Sequence, residues 1–81
     1  MNAGGNAMWK KGSITIKETI IAYRMKQYEP SSKYGINAGR ISQLEFRIDG
    51  ICTLNYDRGW DIYPQDKPSK NALQLVLEKY N

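Results

Sequence analysis

The chain has no histidine, one cysteine, one phenylalanine and three prolines among its 81 residues. Without histidine it lacks the commonest general base and metal ligand near neutral pH. One cysteine, Cys52, excludes an internal disulfide and fits a reducing compartment. No apolar run approaches the roughly 20 residues of a membrane-spanning helix. The opening stretch, MNAGGNAMWKKG, has no hydrophobic core and does not read as a signal peptide. These absences point to a cytoplasmic protein without a membrane, metal or cofactor partner.

What is present suits one small domain. A chain of this length buries about 60–65% of its unfolded surface and needs a compact core. Met1 to Ala7 is rich in Gly and Asn and has little to bury, so residues 1–8 read as a disordered tail and 9–81 as the domain. Trp9 is the first residue expected to pack. The net charge is +4, placed unevenly: residues 1–50 hold eight Lys/Arg and four Asp/Glu, and residues 51–81 hold four of each. A basic half can attract nucleic acid or an acidic protein surface. A solvated, soluble surface is the plainer reading.

Leu44 to Gly59, LEFRIDGICTLNYDRG, reads as a β-hairpin turning at Asp49-Gly50. A two-residue loop would put Cys52 and Leu54 on the opposite face from Phe46 and Leu44. A three-residue loop, Ile48-Asp49-Gly50, pairs Phe46 with Cys52, Leu44 with Leu54 and Ser42 with Tyr56. It gives one apolar face, with Gly50 in a bulge. That is the expected register.

Gly12 to Tyr28 is rich in Ile, Thr and Tyr, a strand composition. Ile14 and Ile16 share one phase, and Ile21, Tyr23 and Met25 the other. A four-residue loop, Lys17 to Ile20, pairs Ile16 with Ile21 and joins both sets on one face. One long bulged strand is the alternative. Glu29 to Gly39 reads as a loop whose glycines take positive φ. Pro64 and Pro68 break the strand pattern after Tyr63. From Lys67 to Tyr80 the period becomes helical, with Leu73, Val76, Leu77 and Tyr80 on one stripe, broadened by Ala72 and Leu75. Asp66 or Ser69 can cap this helix, Pro68 fits its first turn, and Lys79 suits its C-terminal end. The expected fold is therefore α+β: a four-stranded antiparallel meander packed by one C-terminal helix.

Two stretches carry a resemblance. Tyr34 to Ser42, YGINAGRIS, and Asn55 to Asp61, NYDRGWD, lie in the order strand pair, loop, Asp-Gly hairpin and terminal helix. From about Trp9 to Asn81 the chain resembles a family of short proteins of unassigned activity encoded by bacteria, their phages and mobile elements. The resemblance implies a sheet closed by one helix and a bacterial or phage setting. Small phage proteins are often inhibitors of host defence, CRISPR systems included, and that association is one of setting only.

Catalysis is not expected. Cys52 alternates with the core face and has no histidine to activate it. Asp57 and Asp61 make a poor metal pair and are expected to face cations such as Arg58 and Lys67. Gly35 to Arg40 lacks the Lys-Ser/Thr pair of a phosphate loop. Trp60 is expected to seal the core beneath the helix. The candidate surface is Lys10, Lys11, Tyr23, Arg24, Lys26, Tyr28, Lys33, Tyr34 and Arg40, a mixture of Tyr and cations. Such a mixture suits docking on a host protein such as a defence effector, and equally DNA or RNA. Self-association through an unpaired edge strand is the third reading.

Overall fold

The computed structural model describes residues 7–81. Most of the expected tail, residues 1–6, lies outside the described residues, while Ala7 and Met8 already belong to the first strand. Five strands follow in order: β1 (Ala7–Ile16), β2 (Thr19–Tyr28), β3 (Ile41–Ile48), β4 (Ile51–Asp57) and β5 (Trp60–Ile62). A 3-10 turn at Ile36–Ala38 sits between β2 and β3, and the helix α1 spans Lys67–Tyr80. Each strand pairs antiparallel with the next in sequence. The α+β class and the terminal helix match the expectation, with one strand more. Arg58 takes φ 57, the chain reverses, and Trp60 pairs with Tyr56. Pro64 stops this edge strand after three residues without preventing it.

Both hairpins close more tightly than expected. At the second, Asp49 (φ 51) and Gly50 (φ 80) are both left-handed, the form of a two-residue turn that matches strand twist. Ile48 pairs with Ile51 and Arg47 with Cys52. A bulge at Thr53 then brings Leu54 opposite Phe46 and Tyr56 opposite Leu44. The local Asp-Gly preference therefore sets the loop, and the bulge restores the apolar phase. Cys52 is moved off the core: it faces exposed Arg47, is half-buried, and its thiol donates to the Leu54 carbonyl at 3.3 Å. At the first hairpin Lys17 and Glu18 form the loop, with Ile16 opposite Thr19 and Ile14 opposite Ile21. This slides the expected register by two residues and leaves the same side chains on the same face. Lys17 adopts φ 57 without being glycine.

The core lies between one sheet face and α1. Ile21, Met25, Leu44, Phe46 and Leu54 are buried with Ala72, Leu73 and Val76 in one cluster, and Leu77 packs at its margin. Leu75 turns outward, so the helical stripe is narrower than its sequence suggests. Asp66 caps α1 by accepting the Ser69 amide at 2.8 Å. The Thr53 and Ser69 hydroxyls, 2.7 Å apart, tie the bulge to the first helical turn.

The far end of α1 is fastened to the loop before β3. Gln27 donates to the Tyr80 carbonyl at 2.6 Å. The Asn81 amide group accepts from the Ile41 N–H at 3.1 Å and donates to the Ile36 carbonyl at 2.8 Å. The loop glycines serve close approach rather than positive φ. Gly35 has φ −76 and Gly39 φ −101, while Asn37 and Ala38 take the left-handed turn. A Cβ at Gly35 would collide with the Gly39 carbonyl oxygen, and one at Gly39 with the Asn81 side chain.

Candidate binding surface

Period-2 alternation sends every second strand residue away from α1, and among the described residues no element covers that second face. The registers lay it out in rows. Trp9, Lys26, Gln43 and Asp57 form one; Lys11, Arg24, Glu45 and Asn55 the next; Ser13, Ala22, Arg47 and Cys52 a third. Trp9 is 52% exposed. The Arg24 guanidinium lies 4.7 Å from its ring centre and the Lys26 ammonium 5.6 Å, both within cation–π range. Lys26 also lies 5.5 Å from the Tyr28 ring.

Charge divides this face. The β1–β2 half offers Lys11, Arg24 and Lys26 with no acid among them. The β3–β5 half carries the acids: Glu45 pairs with Arg47 at 2.8 Å, Asp57 lies 3.7 Å from Arg58, and Asp61 accepts from Asn55 at 3.2 Å. A shallow hollow of about 210 Å³ sits where the halves meet, between Trp9 and Arg24 on one side and Glu45, Asn55 and Asp57 on the other.

The nine residues singled out from sequence do not form one patch. Lys11, Arg24 and Lys26 share the open face, with Tyr28 at its end. Lys10 and Tyr23 point to the helix side instead, because they share the phase of Ile14 and Met25. Lys10 lies 5.2 Å from the Tyr80 ring, and Tyr23 packs against the core. Burial, then hydrogen bonding to Tyr80, pushes the Tyr23 phenol above its ordinary value. The Tyr80 phenol is lowered, first by Tyr23 and then by Lys79. Arg40 folds onto β2, its Nε donating to the Tyr28 carbonyl at 3.0 Å. Lys33 and Tyr34 stand in the loop, the ammonium 5.3 Å from the ring.

Trp9, the first residue expected to pack, stands half in solvent on the open face, on the edge strand β1. The signal was its parity: it shares the phase of Lys11, opposite to Ile14 and Ile16. Trp60 also departs from expectation. It is 41% exposed on β5, edge-on to Tyr56 at 5.0 Å and Tyr63 at 4.7 Å, rather than beneath α1. Among the described residues no group of three His, Cys, Asp or Glu is placed to hold a metal ion, and no helix is long and apolar enough to cross a membrane.

No curated protein and no solved structure matches the chain. One family model does, over residues 8–81, from the start of β1 to the end of the helix. The chain therefore belongs to the family described as Domain of unknown function (DUF7678).

Proposed function

We propose that the protein is a non-enzymatic binding protein that docks on a bacterial host protein through the open face of its sheet, as a phage or mobile-element inhibitor of host defence. The observation that carries this reading is the exposed Trp9 bracketed by Arg24 and Lys26 beside a hollow with an acidic far wall. Trp, Tyr and Arg supply most of the energy at protein interfaces, and charges of both signs on one face give register and specificity. The sequence resemblance to phage and mobile-element proteins supports the setting. Defence inhibition is tested by plating phage on a restricting CRISPR-bearing host. Wild-type protein should raise plating by orders of magnitude, and Trp9→Ala with Arg24→Glu should not. Equal plating with and without the wild-type protein across defence types would remove the inhibitor reading.

The acid-free β1–β2 half favours a second reading, single-stranded nucleic acid. Stacking on Trp9 and Tyr28 with phosphates on Lys11, Arg24 and Lys26 is the required chemistry. Its mark is affinity that falls linearly on a log–log salt plot with a slope of a few charges. The acids at Glu45, Asp57 and Asp61 on the same face weigh against a strand crossing the whole sheet, which ranks this reading second.

A further inference from the structure

Beyond the Tyr28 end of the sheet lies a second hollow, of about 380 Å³, lined by Tyr28, Pro30, Ser32, Tyr34, Ser42 and Arg58 among others. Its size falls within the usual range for small-molecule sites. We infer that it binds a nucleoside monophosphate group, with the planar base against the tyrosine and proline rings and the phosphate on Arg58. The two stretches that carry the sequence resemblance meet here, Tyr34 and Ser42 from one and Arg58 from the other.

Three observations converge on that chemistry. First, the lining is aromatic and cationic, with no acidic side chain among the described residues that form it. Lys26 stands 5.5 Å from the Tyr28 ring and Lys33 5.3 Å from the Tyr34 ring, so each lining tyrosine has an ammonium beside it. Rings recognise a planar base, hydroxyls a ribose or base edge, and a guanidinium the phosphate.

Second, the walls are built in advance. The Tyr28 amide donates to the Arg40 carbonyl at 2.9 Å, and the Ser32 amide to the Gly39 carbonyl at 3.0 Å. The Tyr56 hydroxyl donates to the Tyr34 carbonyl at 2.8 Å, and the Arg58 amide to the Ser42 carbonyl at 2.9 Å. Tyr28, Ser32, Tyr34 and Arg58 are thus held through their own backbone groups by bonds that a ligand need not disturb, which lowers the cost of ordering on binding.

Third, Arg58 sits at φ 57, where glycine would be unstrained, while the neighbouring Gly59 does not take that conformation. Its side chain is 69% exposed with only a long 3.7 Å contact to Asp57. Strain held at a residue whose side chain is otherwise little used points to a role for that side chain.

The test is titration of the protein with adenosine 5′-monophosphate, adenosine, inorganic phosphate, and a short oligothymidylate with or without a 5′-phosphate, followed by amide NMR shifts. The monophosphate should move the Ser31, Ser32, Tyr34 and Arg58 amides, with adenosine and phosphate each about tenfold weaker or more. A preference for the phosphorylated oligomer over the free nucleotide would assign the ligand to a strand end, and the reverse to a free nucleotide; either supports the site. Arg58→Gly relieves the backbone, so it should melt no lower than wild type and still bind about tenfold more weakly. Tyr34→Ala should weaken binding about fivefold or more. Leu75→Ala, outward on α1 and lining neither hollow, should leave it unchanged. Absence of shifts with both nucleotide probes, equal binding by inorganic phosphate, or wild-type affinity in Arg58→Gly would overturn the inference.

Discussion

The two faces of this sheet are written by alternate residues of the same strands, yet they are different kinds of surface. On the helix side, Ile21, Met25, Leu44, Phe46 and Leu54 are sealed from water. On the other side, Arg24, Glu45 and Asn55 occupy the intervening positions and Trp9 stands half in solvent. An antiparallel sheet tolerates one solvated face, so the open side needs no cover to be stable. The difference separates two kinds of substitution: those toward α1 should cost stability, and those away from it should cost binding while the fold survives.

The largest effect should come from Phe46→Ala. Phe46 is fully buried at the centre of the cluster, and its truncation should cost about 3–5 kcal/mol in a denaturant melt. Gly35→Ala should follow at about 1–3 kcal/mol, because its Cβ meets backbone that cannot swing aside. Asp66→Ala removes the cap on the Ser69 amide and should cost about 1 kcal/mol. If Phe46→Ala left the melt unchanged, the division between the faces would fail.

A smaller effect appears at alkaline pH. Burial pushes the Tyr56 phenol above its ordinary value of 10.0. The folded state holds this proton more tightly than the unfolded chain, so the contribution is full below pH 10.0 and is lost as pH rises through the folded value. Tyr56→Phe should flatten the decline in stability above that pH, at the loss of about 0.5–1.5 kcal/mol from the bond to the Tyr34 carbonyl. An unchanged alkaline slope in Tyr56→Phe would count against this.

Much of the covered face was legible in the sequence, and the reasons are local. The helix limits followed from the periodicity of Leu73, Val76, Leu77 and Tyr80 and from Asp66 before Pro68. The inward set of both hairpins followed from alternation, with Cys52 the exception. The turns did not, because a bulge at Thr53 does the work assigned to a longer loop, and alternation alone cannot tell one from the other. Gly35 and Gly39 were misread because their constraint is the approach of Asn81 and of loop backbone, distant in sequence for Asn81. The candidate surface was legible only in part. Lys11, Arg24 and Lys26 fell together, while Lys10 and Tyr23 were grouped by composition although their parity set them on the other face. Trp9 was expected to pack but left out of the candidate surface, although its parity with Lys11 sets it on the open face.

The smallest expected effect on stability is also the sharpest test. Trp9→Ala should change folding stability by less than about 1 kcal/mol, since the residue sits on the uncovered face. Its thermal melt should therefore overlay that of the wild-type protein while its ability to restore phage plating on a restricting host is lost. Retained plating in a folded Trp9→Ala protein, or its collapse in the melt, would contradict the assignment of binding to the open face.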